Sequence, residues 1–136
     1  MPPTTIDQPK QKRTDTMKMM HVVMAAGVML AAPAAAQDAA AGKKAFAQCA
    51  ACHAVVPNQN RIGPSLHGVV GRKSASVKGF AYSAALVKKG GVWNDATLDA
   101  WLTKPSAYAP GTKMAFAGWP DKKKRADVIA YLKTLK

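Results

Sequence analysis

The stretch Cys49-Ala50-Ala51-Cys52-His53 holds both cysteines of this 136-residue chain and one of its three histidines. Three chemistries use such a pattern. A C-x-x-C pair can cycle between dithiol and disulfide, but the thioredoxin-like version sits in a βαβ unit, and no such setting is visible here. A zinc site needs about four ligands. Cys49, Cys52, His53 and His67 would have to supply them, and the adjacent Cys52 and His53 converge badly. The third use is covalent attachment of haem, for which C-x-x-C-H is the signature. Two thiols three positions apart on a helical turn lie on one side and reach the two vinyl groups of one porphyrin edge. The next residue is rotated by about 100°, so the His53 imidazole can swing under the ring and ligate the iron.

A second axial ligand would come from elsewhere. Of seven methionines, six stand at positions 1, 17, 19, 20, 24 and 29, which leaves Met114. A lone methionine is usually gap-filling core. Met114 instead falls in a Pro/Gly-rich loop, "YAPGTKMAFAG", where packing explains it less well. A thioether ligand raises the reduction potential relative to two histidines. The rival, His67, is only 14 residues from His53, too near to cross easily to the opposite face. With Met114 bound the iron has no open position, which argues for outer-sphere electron transfer over catalysis.

These groups need elements to position them. "MKMMHVVMAAGVMLAAPAAAQ", Met17 to Gln37, has a basic start, an apolar run and small residues at its end. That is the pattern of a secretory signal peptide with cleavage after Ala36. The apolar run from Val22 to Ala36 has 15 residues, short of the roughly 20 of a membrane helix; a retained anchor is the alternative. Residues 1–16 are polar and unpatterned, and read as an artefactual or disordered extension. One domain, 37–136, is left. Asp38 caps a helix that runs into the cysteines with Phe46 facing inward. Ser83 caps a second, with Gly90 past its end. Asn94 or Asp95 caps a third, which carries Leu98, Trp101 and Leu102 on one side and which Pro105 stops. Asp121 caps the last, with Val128, Ile129, Leu132 and Leu135 in one stripe. Residues 54–78 and the stretch from Pro105 to Pro120 read as loop. The class is all-α, three to four short helices. So few helices bury little apolar surface, and a large apolar cofactor at the centre would remedy that.

Residues 37–136 carry 16 Lys and Arg against 5 Asp. Such a balance points to an acidic partner. Charge alone also suggests nucleic acid, but neither a recognition helix nor an aromatic stacking platform is evident.

From Gly42 to Lys136 the chain resembles the soluble class I cytochromes c of mitochondria and bacteria. "GPSLHGVVGRK", "GFAYS", Trp93, "TLDAWLTKPSAYAPGTKMAFAG" and "RADVIAYLK" carry the likeness. The resemblance implies the cytochrome c fold, helices and loops wrapped around one covalent haem c with iron between His53 and Met114. It implies that the Pro64 carbonyl fixes His53, that Arg72, Tyr82, Trp93 and Thr112 surround the haem propionates, and that Phe116 lies at the haem edge. Phe46, Val128 and Tyr131 would form the crossing of first and last helices. Lys44, Lys104, Lys113 and Lys122–Lys124 would form a basic face. Some positions depart from the family. Trp101 replaces a tyrosine that bonds the methionine sulfur, Leu86 replaces an asparagine that holds a water, and Ser106 and Ala107 replace two lysines. The implied function is that of a periplasmic, monomeric one-electron carrier. It would dock on acidic surfaces of a quinol-oxidising complex, a terminal oxidase, a dehydrogenase or a reaction centre.

Overall fold

Three helices that meet far apart in sequence form the frame. In the computed structural model, which describes residues 36–136, these are α1 (Ala39–Ala50), α3 (Asp95–Thr103) and α5 (Lys122–Leu132). Between them lie α2 (Ala84–Lys89) and a single turn, α4 (Pro105–Tyr108). The expected N-terminal extension and nearly all of the expected leader lie outside the described residues. Among the described residues there is no strand, only an isolated antiparallel bridge between Lys73 and Val92. The helical class expected from sequence holds.

Each long helix starts on a side chain that satisfies its free N–H groups. Asp38 Oδ1 accepts from the N–H of Ala40 at 2.8 Å and Ala41 at 3.1 Å. Asp121 Oδ1 accepts from Lys124 N–H at 3.1 Å. Asn94, not Asp95, caps α3, and it does so reciprocally: Asn94 Oδ1 accepts from Thr97 N–H, and Thr97 Oγ1 accepts from Asn94 N–H. Such a box satisfies two donors at once. Ser83 caps α2 through Leu86 N–H at 3.2 Å, as its sequence suggests.

Two expectations need correction. Pro105 does end α3, but residues 105–108 are not loop; Pro105 opens α4. The reason is the proline ring, which lacks an N–H to continue one helix yet pre-sets φ for the first position of the next. Lys104 between them is extended, at φ −163°. The second concerns Leu135. The stripe of α5 stops at Leu132, and Leu135 lies past the helix end, half-buried.

The crossing of α1 and α5 pins the first and last helices of the described residues together. Gly42 sits against the backbone of Asp127, where an added Cβ would fall 1.9 Å from the Asp127 carbonyl oxygen. Phe46 and Tyr131 pack with ring centroids 5.1 Å apart, and Val128 is 1% exposed. Asp127 ties the two helices again, accepting from Asp38 N–H at 2.8 Å and from Lys123 Nζ at 2.7 Å. Arg125 joins α5 to α3 through Asp99 at 2.7 Å, and its Nη1 donates to the carbonyls of Trp119 and Pro120.

A methyl group at position 42 has no room, since its neighbour is backbone. Gly42→Ala is expected to lower unfolding stability by about 2 kcal/mol or more, read as a lower guanidinium midpoint. Asp127 supplies a pH dependence. The Lys123 ammonium and the Asp38 N–H hold its carboxyl below the usual carboxylate range, against the opposing effect of burial. A depressed folded value stabilises above the unfolded value of about 3.9, and this is lost as pH falls through the folded value. Asp127→Asn is therefore expected to be the less stable protein at neutral pH. Its deficit should shrink as pH drops below about 4, measured as denaturation midpoints at several pH values. A deficit constant with pH would contradict this origin.

Candidate haem-attachment site

The last turn of α1 delivers Cys49, and the turn that follows it delivers Cys52. His53 N–H and Cys52 N–H both reach the Cys49 carbonyl, at 2.9 and 3.0 Å, so the chain keeps its helical turn through the motif. Cys49 and Cys52 are free and half-buried, and Cys49 packs against the core. Burial pushes the Cys49 thiol up to about 11; neighbouring Cys52 adds to the rise and Lys124 opposes it. A redox-active C-x-x-C needs the reverse, a thiol whose pKa is lowered.

His53 is held from two sides. Its Nδ1 lies 2.7 Å from the Pro64 carbonyl. A carbonyl only accepts, so Nδ1 carries the proton and Nε2 keeps a free lone pair. Burial lowers the pKa of the ring; the Pro64 carbonyl opposes this and Arg72 adds to it. A neutral imidazole oriented through its other nitrogen is what metal ligation requires. On the other side stands Gly63, where a Cβ would come within 2.3 to 2.8 Å of the ring atoms. Gly63 N–H in turn donates to the Cys52 carbonyl at 2.9 Å. The residue that makes room for the imidazole is thus bonded to the segment that carries it.

Arg72 donates through Nη1 to the His67 carbonyl at 2.8 Å and through Nη2 to the Ser65 carbonyl at 3.0 Å. Its Nε is buried and has no protein partner. Tyr82 acts electrostatically on Arg72, and its hydroxyl oxygen accepts from Val77 N–H at 3.2 Å, leaving the phenolic proton to donate elsewhere. A buried guanidinium donor without an acceptor calls for an acidic group. Trp93, Trp101 and Tyr108 form one aromatic cluster with centroids 5.6 to 5.9 Å apart. Leu86 is buried in the same core. Thr112 Oγ1 accepts from Met114 N–H at 3.3 Å, and Met114 packs partly buried against the core. Phe116 meets Trp119 edge-on at 5.1 Å. His67 engages through its backbone, donating to Ser65 Oγ and accepting from Arg72.

Sequence reasoning passes over four residues that matter here. Gly63 shows its role only once His53 folds against it. Trp119 and Tyr108 lie in stretches read as loop, although a Trp or Tyr is rarely placed where it packs on nothing. Asn60 staples two loops, donating to the Lys78 carbonyl at 3.2 Å and accepting from Ser65 N–H at 3.1 Å.

A helical frame without strands among the described residues and a free C-x-x-C-H turn whose histidine is oriented by a backbone carbonyl are the marks of a haem-attaching domain, and the two thiols fit covalent haem c. The chain belongs to the cytochrome c family: the family model "Cytochrome c" matches residues 39–136. It is similar to cytochrome c2 of Blastochloris viridis, 47% identical over 112 residues, 82% of this chain and 86% of that one. Cytochrome c of Euglena viridis is 50% identical over 100 residues, 73% of this chain and 98% of that one. Among solved structures, cytochrome cH from Methylobacterium extorquens superposes with a TM-score of 0.68 at 53% identity, covering 71% of this chain and 98% of that one. Cytochromes c are electron carriers with covalently bound haem c, and Cys49 and Cys52 fit the attachment motif.

Gly63→Ala tests the pocket. The methyl would push His53 off the Pro64 carbonyl, an overpacking cost of about 1–3 kcal/mol. Lower haem content per polypeptide and a lower melting temperature are expected, measured by absorbance ratio and thermal unfolding. Full haem loading at wild-type stability would show that the ring tolerates the intrusion.

Proposed function

We propose that this protein is a periplasmic one-electron carrier whose haem is tethered through Cys49 and Cys52, with His53 and Met114 as the axial ligands. The observation that carries the ligand assignment is His53: its Nδ1 is committed to the Pro64 carbonyl, its Nε2 makes no protein hydrogen bond, and burial lowers the pKa of the ring. Bound haem c supplies an iron that exchanges one electron without bond rearrangement. The chain's own residues do the rest. Met114 offers a thioether from a loop whose N–H is fixed by Thr112. With both axial positions closed, no site remains for a substrate, which supports a carrier over an enzyme.

Arg72, Tyr82, Trp93 and Thr112 are assigned to the acidic edge of the haem. The support is the unpartnered Arg72 Nε and the uncommitted Tyr82 proton. Trp101 and Phe116 are assigned to its apolar surround, as members of the buried aromatic packing. The leader pattern before Gln37 supports export to the periplasm.

Charge placement supports acidic partners. Residues 39–94 hold eight Lys and Arg, residues 100–120 hold two, and neither stretch has an Asp or Glu. Asp95, Asp99 and Asp127 are salt-bridged to Lys133, Arg125 and Lys123. Asp38 and Asp121 are N-caps. The site-bearing loops are therefore positive without local compensation, which steers a monomer towards acidic patches. Suitable partners are a quinol-oxidising complex as donor, and a terminal oxidase, dehydrogenase or reaction centre as acceptor.

The test is a visible spectrum of the oxidised and reduced matured protein. A six-coordinate low-spin species with a weak far-red band in the oxidised form is expected, since that band reports sulfur on iron. Met114→Ala should abolish the band, and Met114→His should lower the reduction potential. A wild-type band that survives Met114→Ala would remove Met114 from the iron.

A further inference from the structure

We infer that Gln48 and Trp119 form a latch that positions the Met114 loop against the haem-bearing helix; this rests on the reading of Met114 as axial ligand. Trp119 Nε1 donates to Gln48 Oε1 at 3.2 Å, across 71 residues of sequence. Gln48 is the neighbour of Cys49 on α1, and Trp119 is five residues past Met114. One hydrogen bond thus joins the two segments that would approach the iron.

The rest of the exit segment is fastened elsewhere, and that makes the latch specific. Trp119 N–H donates to the Leu102 carbonyl at 2.8 Å, and its own carbonyl accepts from Arg125 Nη1 at 2.7 Å. Gly118, at φ 98°, lies where a Cβ would come within 2.0 Å of the Thr103 carbonyl. These contacts tie the segment to α3 and α5. Among the hydrogen bonds of the described residues, the one from this segment to α1 is the indole N–H. The ring itself is 6% exposed, with Phe116 edge-on at 5.1 Å and Lys124 Nζ 4.5 Å above it. A rigid bicyclic side chain held on three sides transmits the position of α1 to Phe116, two residues from the thioether. Gln48 is otherwise exposed, so its side chain can be changed without disturbing packing.

A latch shows when the Met114 loop must open, as it does when an outside ligand displaces the thioether. The experiment titrates imidazole into oxidised, haem-loaded protein and follows loss of the far-red band. The variants are Gln48→Ala, Gln48→Glu, Trp119→Phe and the Ala/Phe double. A single hydrogen bond is worth roughly three- to tenfold in such an equilibrium. Gln48→Ala should tighten apparent imidazole binding by about that factor. Gln48→Glu keeps an acceptor and should behave as wild type. The double variant should show no more than the Trp119→Phe effect, the mark of two residues acting as one. Amide hydrogen exchange over residues 114–119 should quicken in Gln48→Ala, whichever group binds the iron. Unchanged imidazole binding and unchanged exchange in Gln48→Ala would overturn the latch. A missing far-red band in the wild type would overturn the Met114 assignment alone, since exchange still reads the latch. If Trp119→Phe fails to fold, the Ala and Glu variants at the exposed position 48 decide the question.

Discussion

The close approach of Gly63 to the His53 ring, and of that ring to the Pro64 carbonyl, is the contact on which the arrangement depends. Two consecutive residues do opposite things: one withdraws its side chain, the other presents a backbone acceptor. Between them an imidazole has one orientation and one tautomer. Because Gly63 N–H is bonded to Cys52, the pocket and the motif are one covalent and hydrogen-bonded loop. The distant Arg72 braces the same stretch by donating to the carbonyls of Ser65 and His67. Orientation of a ligand by its unligated nitrogen is the usual way a protein controls a metal group it cannot enclose with side chains alone.

The frame serves this loop by holding its first and last helices against each other. The α1–α5 crossing is close because Gly42 leaves no side chain between the helices. Since α1 ends in the motif, tightening the crossing also fixes where Cys49 points. The α3–α5 tie through Asp99 and Arg125 does the same for the opposite side, because Arg125 also holds the carbonyls of Trp119 and Pro120. Small domains lack the core to fix long loops by burial alone. Here polar side chains that reach backbone groups help fix the loops: Arg125 from α5, and Asn60, Ser65 and Arg72 from the irregular stretch itself.

Much of this was legible in the sequence. The helices that begin at Asp38, Ser83, Asn94 and Asp121 announce themselves because a capping side chain precedes each. The motif is legible because its spacing has few other uses, and Pro64 because the resemblance points to it. Other features were hidden for physical reasons. Pro105 acts as stop and start at once, and only the backbone conformation of Lys104 separates the two. Leu135 keeps the spacing of the α5 stripe and packs against the same core, but it does so from past the helix end, a boundary that hydrophobic period does not mark. Gly63 and Gly42 act through the space they leave empty, and empty space has no residue pattern. Trp119 was lost among Gly and Pro in "FAGWP", where punctuation drew attention away from the large apolar residue between.

The segregation of carboxylates to the helical frame carries one more implication, for the conditions in which the molecule operates. Every carboxylate of the described residues braces a helix, by an ion pair or a cap. The irregular stretches 51–83 and 109–120 hold Lys and Arg and no Asp or Glu, with His53 and His67 beside them. Lysine and arginine keep their protons until about pH 10 and above. The attraction that these Lys and Arg contribute is thus nearly constant from mildly acidic to mildly alkaline surroundings, a compartment open to the outside included.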